Sequence, residues 1–581
     1  MKKGKFSAPQ AKGYSHGGAS YSKRAMRGFV VQSGSPSEDI DANNYTLRQR
    51  ARILYQSAPI ATAALKRQRT NIVGPGLRLK ATIDRDVLGL TPEQAEEWQR
   101  HVQREFALWA DDKRNCDATG VNNFYSMQQL VALSWPMSGD VFALIKRGRR
   151  SRLCPYSLRL HLIEADRVRT PEVGGALPYG TVQSNPLLTN LTAVKLSNGH
   201  YIYDGVEVDA SGAIVAYHVA NTYPFQYDGE LTEFTRVEAY GQRSGLPNIL
   251  HIMDSERPEQ YRGVPYLAQV IEPLLQLRRY TDAELTAAVV QSFFTAFVTT
   301  EAGGNEMPYN EVGNPMEPEV SKDPNEYELG AGTINILEPG EDIKMASSTH
   351  PNSGFDEFVR ALCEQIGAAL EMPADLLLMS FNSSYSASRA ALLEAWKGFR
   401  MRREWLANDF CRPVYELWLT EAVASGRVQA PGFLTDPLIR KAYLQCEWIG
   451  PSQGQLDPTK EVQAAISAID NGLSTREAEA IKLNGSEYAS NVDKLKVENR
   501  LLKEAAGGGS SNGSQQGQIP FNESRNQDGE EISPEESEDV DEQEGSENPN
   551  GNENQNGNEN ENADQPRSWL RSLQHRFGWG G

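Results

Sequence analysis

A chain of 581 residues is too long for one compact core and points to two to four domains. Its formal charge of −19 is unevenly spread: residues 506–581 hold sixteen Asp and Glu against four Arg and no Lys, a net of −12 that leaves −7 for the rest. That balance argues against tight, sequence-reading DNA binding, which brings a concentrated basic face, and the overall hydrophobic content of 39% is low because of the polar tail.

The first forty or so residues, rich in Gly, Ser, Lys and Arg, read as a mobile arm, and Met1 to Gln32 lacks the sustained apolar stretch of a secretory signal. Helices are predicted over Tyr45–Gln56, from Pro59 to a stop at Gly74-Pro75-Gly76, over Pro92–Trp109 and over Asn123–Ser134. From Val141 to Met253 the period changes to two. Leu158–Leu162, Val206–Val208 and Ala213–Val219 alternate as half-buried strands, with Asp209-Ala210-Ser211-Gly212 as a hairpin turn between the last two. The fold class expected is therefore α+β.

Gly263-Val264-Pro265 is expected to open a helix running to about Phe294, some thirty residues or ~45 Å, kinked at Pro273. Glu301–Gly332 is a loop-rich excursion with Pro308, Pro315, Pro318 and Pro324 and eight acids against Lys322 alone. A strand-like segment, Thr333–Leu337, and Ile343-Lys344-Met345 lead back. Then comes the best-signalled element of the chain: Phe355, Phe358, Val359, Leu362, Cys363, Ile366, Ala369 and Leu370 fall on one face of a helix, with Ser353 and Asp356 as a capping box and Met372-Pro373 as the stop.

Leu376 to Met379 and a polar stretch without charge, Ser380 to Ser388, precede a helix from about Arg389 to Ala424, ~50 Å long, which Pro413 bends or divides. Beyond Gly426, Asp457-Pro458 caps a helix closing at Asn471-Gly472, Ser474 with Glu477 forms a second capping box, and a charged helix spans about Val492–Ala505. Residues 506–565 are Asn/Glu/Gly/Ser repetition that cannot bury enough apolar surface to offset ordering entropy, hence a disordered tail. In the last sixteen residues Trp569, Leu573 and Phe577 fall on one stripe among Arg567, Arg571, His575 and Arg576, either a docking peptide or a frayed end.

No catalytic constellation stands out. GxxxxGK[ST] and HExxH are missing, and with the first of them the phosphate cradle of an ATPase. His161, Glu164 and Asp166 suggest a metal site by proximity, but a period of two turns His161 away from the other two, so structural roles are expected. The proline inside Gly74-Pro75-Gly76 removes an amide that a phosphate loop would need. Cys116, Cys154, Cys363, Cys411 and Cys446 are scattered, as reduced and mostly buried cytosolic thiols are. The most apolar run, Leu285–Val298, is too short to span a membrane. Neither a cofactor nor a metal is expected.

Ser353 to Phe410, together with Asn71–Leu77, Ser134–Asp140, His251–Asp254, Tyr261–Pro265 and Leu337–Glu341, resembles the portal proteins of tailed bacteriophages, in the lambda-like portal family, across about Asn43 to Glu504. The resemblance implies the portal fold: a mobile basic arm (1–42), a β-rich wing (43–262), a first stem helix (263–298), a clip (299–350), a second stem helix (351–373), a tunnel loop (374–388), a long helix back to the wing (389–450) and a helical crown (451–505), followed by the acidic tail (506–565) and the docking peptide (566–581).

It further implies a non-enzymatic ring, twelve copies by family analogy, at the head vertex of the virion, assembled in the host cytoplasm. The ring would nucleate head assembly with the major capsid and scaffold proteins, dock the terminase large subunit and later the head-completion and neck proteins, and pass double-stranded DNA without reading its sequence. No membrane is involved. Three residue sets are implied: Ser380, Asn382, Ser383, Ser384, Tyr385 and Ser386 as the tunnel loop; Phe355, Phe358, Val359, Leu362 and Ile366 as the subunit-packing stem face; and Glu306, Glu311, Glu317 and Glu319 as the docking rim of the clip. Uncharged hydroxyls and amides hydrogen-bond phosphates transiently, without the trap that a Lys/Arg cluster sets for a sliding polyanion. Without the resemblance, that loop is a plain connector. The rival readings are a neck or baseplate ring protein that never contacts the genome, and a cytosolic hydrolase with an unrecognised site.

Overall fold

The computed structural model describes residues 18–20, 23–29, 33–171, 193–224, 226, 232–292, 296–300, 341–345, 354–381, 384–454 and 458–506. The α+β reading holds. A π turn, Ser37–Asp41, runs into α1 (Ala42–Ser57), and α2 (Pro59–Ile72) begins with its proline at the first position, where an amide would go unpaired anyway. β1 (Arg78–Ala81), α3 (Arg85–Leu88), α4 (Pro92–Ala110), α5 (Lys113–Cys116) and α6 (Phe124–Ser138) follow. A complete Thr91/Gln94 capping box starts α4, which turns Val102, Phe106 and Trp109 inward.

Next come β2 (Asp140–Arg147), β3 (Leu158–Glu164), β4 (Ala193–Lys195), β5 (Tyr201–Tyr203), β6 (Val206–Val208), β7 (Ile214–Ala220), β8 (Phe234–Glu238) and β9 (Ile249–Met253). They build a three-stranded sheet in the order β3-β2-β9 and a five-stranded meander, β4 to β8, all antiparallel. The expected hairpin turn forms: Asp209 Oδ1 accepts from the amides of Ser211 (2.8 Å) and Ala213 (3.0 Å). Phe142, Leu144, Ile163, Val206, Tyr217 and Val219 from the two sheets share one apolar cluster.

The second half comprises α7 (Ile271–Ser292), β10 (Ala296–Thr300), β11 (Glu341–Met345), α8 (Phe355–Ala369), α9 (Ala374–Leu378), α10 (Tyr385–Leu406), α11 (Arg412–Ala424), α12 (Pro437–Leu444), β12 (Cys446–Ile449), α13 (Pro458–Asp470), α14 (Arg476–Asn484) and α15 (Tyr488–Ala506). α10 and α11 form one rod through a π turn, Ala407–Cys411. Pro413 brings no amide and its ring crowds the carbonyl four residues back, so the widened turn lies just before it. The main core gathers helices from both halves around Phe106, which meets Trp418 (5.1 Å, 90°) and Phe124 (5.7 Å, 89°) edge to face.

Several boundaries differ from the sequence reading. The helix expected from Gly263 begins only at Ile271, after a 3₁₀ turn at Ala268–Val270, because the backbone of 263–266 is already engaged: Gly263 N–H donates to Asp140, Gly263 C=O accepts from Asn44 Nδ2, and Tyr266 N–H donates to Pro136 C=O. Pro273 then lies in the first turn of α7 and imposes no kink. By Ala296 the helix has given way to β10, which pairs with β11 from Ala296↔Met345 to Thr300↔Glu341.

Gly354 is the N-cap of α8, and Ser353 lies outside the described residues. The stop at Met372-Pro373 holds: Glu371 adopts a left-handed conformation (φ 49°) and Met372 N–H returns to Gly367 C=O at 2.8 Å. At α14 the cap is Thr475, whose Oγ1 accepts from Ala478 N–H (3.1 Å), while Ser474 bonds Glu479 instead. β1 and β12 pair (Leu79↔Trp448), a contact that two four-residue strands do not announce by period. α6 runs through Pro136 to Ser138.

Candidate functional site

The pair α7 and α8 is joined by Tyr280, which stacks on Phe355 (5.5 Å, 25°) and meets Phe358 edge-on (4.9 Å, 67°). Leu274 and Leu277 anchor the first turns of α7 in the main core. Beyond Tyr280, none of the α7 side chains described is buried, and Leu285 (66%) and Val289 (49%) stand exposed. The apolar stripe predicted on α8 therefore divides. Ile366 is fully buried within this chain, Val359 and Leu362 pack against its core, and Phe358 remains half exposed. Ile366 is thus corrected from a subunit-packing position to a core position: Gly367, next to it, lies so close to Met372 that a Cβ there would be 2.4 Å from the Met372 carbonyl. Tyr280, which completes the α7/α8 contact, has no period-based signal, since a single half-buried tyrosine looks like surface.

The polar stretch after α8 is shorter than expected. α9 ends with Met379 in a left-handed conformation (φ 57°), and Ser380 N–H bonds Asp375 C=O (3.1 Å). Ser384 caps α10, its Oγ accepting from Ala387 N–H at 3.4 Å, so Tyr385 and Ser386 belong to the first helical turn and the expected start at Arg389 moves forward by one turn. A serine cap frees its own helix start from needing apolar residues, which is why the period underestimated it. Ser380 is half-buried; Ser384 and Ser386 are exposed, and Met379 (55%) and Phe381 (48%) present apolar groups at the loop's root. Asn382 and Ser383 lie outside the described residues, as do Glu306, Glu311, Glu317 and Glu319, the Thr333–Leu337 segment and the C-terminal stripe.

Two of the strings that carried the family resemblance, Ser134–Asp140 and Tyr261–Pro265, meet in space. A Cβ on Gly139 would lie 2.3 Å from the carbonyl oxygen of Gly263, and one on Gly263 would lie 1.9 Å from that of Gly139, so the two backbones touch only because both residues are glycine. Beside them Arg262 and Asp140, both wholly buried, form a fork: Nε to Oδ2 at 2.6 Å and Nη2 to Oδ1 at 3.2 Å. The remaining guanidinium hydrogens go to the carbonyls of Ala165 (3.0 Å), Val168 (2.8 Å) and Asp204. Arg48 from α1 joins Asp204 at 3.1 Å and donates to Ser138 C=O, and Arg52 holds Asp166.

His251 stacks on Phe142 (4.2 Å) with Nε2 3.3 Å from Asp140. Burial disfavours the ionised Asp140, yet Arg262 and Arg48, with hydrogen bonds from His251 and Arg262, hold its carboxyl well below the usual range. Asp166, a candidate ligand on sequence proximity, is thus an ion-pair partner of α1, and among the described residues no group of His, Cys, Asp and Glu is arranged to hold a metal. The five cysteines are free, four of them buried.

Asp41, at the entrance to α1, has no such fork. Burial, reinforced by the charge of Asp204, pushes its carboxyl up to about 7 against the pull of Arg262 and Arg48, and its Oδ2 has no hydrogen-bond partner among the described residues. A carboxyl with a raised folded-state pKa carries a penalty that is absent below about pH 4, grows through the interval and is full above about 7. Asp41→Asn should therefore raise stability by about 1–3 kcal/mol at pH 8 and leave it unchanged at pH 3.5. Denaturant midpoints at the two pH values check this.

The phage portal protein model of the lambda family matches residues 22–403. The portal protein B of Escherichia phage lambda is 24% identical over 513 residues, covering 85% of this chain and 90% of that protein, and the portal protein of Escherichia phage N15 is 25% identical over 525 residues, covering 87% and 93%. Among solved structures, the neck of a native gene transfer agent particle computed with C12 symmetry covers 76% of this chain and 94% of its own at 12% identity and a TM-score of 0.39. With a family match over well more than half its length, the chain belongs to the lambda family of phage portal proteins.

Proposed function

We propose that this chain is the repeating subunit of a portal ring, twelve copies by family analogy, at the head vertex of a phage virion. The observation that carries the reading is the exposed side of α7 beside α8: Leu285, Val289 and Phe358 are exposed on a helix pair that leaves the main core, and a neighbouring copy in a closed ring would cover them. In this reading α7 and α8 are the stem, β10 and β11 lead to and from the clip, and the polar connection into α10 faces the channel.

Double-stranded DNA passes through without base readout, since hydroxyls at Ser384 and Ser386 offer only exchangeable contacts to phosphates. The subunit is non-enzymatic, with energy supplied by the terminase large subunit. That partner and the later neck proteins dock on the acidic excursion of Glu306, Glu311, Glu317 and Glu319, which would favour basic surfaces. Assembly takes place in the host cytoplasm with the major capsid and scaffold proteins.

The purified protein is expected to image as a ring with an open centre, and Asn382→Lys, Ser383→Lys and Ser384→Lys together should leave that ring intact while shortening the packaged DNA. Solitary subunits, a plugged annulus, or full-length packaging at the normal rate by the lysine variant would each contradict this reading.

A further inference from the structure

The end of β2 and its connection to β3 carry a charge pattern that neither the core nor the proposed channel uses. Lys146, Arg147, Arg149, Arg150 and Arg152 are five exposed cations in seven residues, on a chain of net charge −19. Two of them have a structural task. Arg147 Nη1 and Arg150 Nη2 lie 3.0 and 2.7 Å from the carboxylate of Glu421 on α11, which also accepts from the amides of Ser157 and Leu158. These contacts pin the root of the loop to the body. Lys146, Arg149 and Arg152 have no carboxylate within ion-pair distance among the described residues.

Beside the loop opens a cleft of about 380 Å³, lined by Arg114, Lys146, Arg147 and Arg159 and by the turn Asp117–Gly120. Asp117 sets one carboxylate against these four cations, and it is turned into its own loop, accepting from Thr119 N–H (2.9 Å), Thr119 Oγ1 (2.7 Å), Val121 N–H (3.0 Å) and Asn122 N–H (2.9 Å). Arg159 is nearly buried and fixed by the carbonyls of Tyr156 and Leu158, so one wall of the cleft is rigid; Arg114 is tied to Asp112 at 2.9 Å.

The lining selects the class of partner. It contains no large apolar side chain, whereas a protein docking site needs an apolar centre inside its polar rim. It contains no aromatic ring on which an unpaired base would stack. What remains is charge, mostly arginine, whose planar fork fits phosphate oxygens. Screening over about 8 Å at physiological salt lets this local patch act despite the negative total.

We infer that the Lys146–Arg152 loop and its cleft bind the phosphate backbone of duplex DNA on the outside of the subunit, independently of sequence and away from the channel. The inference rests on the portal reading only in that such a subunit works where duplex DNA is concentrated.

The probe is a relaxed, covalently closed duplex circle of random sequence, which has no end to thread through a channel, mixed with the purified full-length assembly across about 50–200 mM salt. Wild-type protein should bind it. Lys146→Ser, Arg149→Ser and Arg152→Ser combined, which leave the Glu421 contacts alone, should weaken binding at least tenfold and reduce the slope of log K against log salt by about 2.7, at unchanged assembly mass. The inference is overturned if the wild type does not bind circles, if the triple variant keeps the wild-type affinity and slope, or if polyglutamate of equal charge binds as tightly, which would make the partner an acidic protein. Its failure would leave ring formation and packaged length untouched, whereas failure of the portal reading would appear in those two measurements.

Discussion

Arg262→Met should destabilise the protein by about 3–5 kcal/mol, the range for breaking a buried ion pair by removing one partner. The side chain is wholly buried and spends its donors on Asp140, Asp204 and the carbonyls of Ala165 and Val168. Methionine replaces the volume without the charge, so Asp140 is left inside the fold with Arg48 at 4.0 Å, the Gly263 amide and His251, whose protonated form burial disfavours. Since a domain's total stability is only about 5–15 kcal/mol, loss of soluble protein at 37 °C is a realistic readout beside a denaturant midpoint.

Arg262→Met with Asp140→Leu should recover part of the loss, because the second change removes the stranded carboxylate. Near-wild-type stability of the single variant would show that the fork contributes little. The same network sets an acid limit: Asp140 has a lowered carboxyl pKa in the fold, so its contribution is present at neutral pH and lost as pH falls through that lowered value.

Gly263→Ala should cost about 4 kcal/mol or more, at the extreme of single substitutions, even though it adds one methyl group. The added carbon would meet the Gly139 carbonyl oxygen at 1.9 Å, and that obstacle is backbone. Relief means separating the entry to β2 from the segment that leads to α7, and this would disturb the bonds from Gly263 N–H to Asp140 and from Asn44 to Gly263 C=O. Gly89→Ala is the control: unlike Gly263 it sits at positive φ (+64°), but nothing lies within 4 Å of the new carbon, so it should cost only the left-handed penalty of about 1 kcal/mol. Thermal or denaturant midpoints of the two variants, compared with the wild type, separate collision from conformational penalty. Equal losses would contradict the close approach.

These two sites show how far a one-dimensional reading extends. The helices α1, α2 and α4 and the β6–β7 hairpin were readable because each is specified by neighbours in sequence: a proline or capping box at the start, a 3.6 or 2.0 apolar period within, and Gly, Asn or Asp where the chain turns. The apolar face of α8 was readable for the same reason. The polar loop was located as well, although the serine cap on α10 shortened it.

Other features escaped because their causes lie far apart in the chain. β1 and β12 exist only by pairing with each other, and four residues hold too few repeats to reveal a period. The onset of α7 was displaced because Asp140, Asn44 and Pro136 claim the backbone groups of 263–266 first. Ile366 and Phe358 share one helical stripe, and only the position of the main core decides that the first is fully covered while the second stays half exposed against Tyr280.

By itself, then, the order of residues determined the class of fold, most helices and the family to which the strings around Gly139, Arg262 and Gly263 belong. Tertiary structure alone decided what those strings are for: carboxylates and guanidinium groups scattered along the chain become one ion-paired cluster only when folding removes them from water together, and no local pattern encodes that meeting.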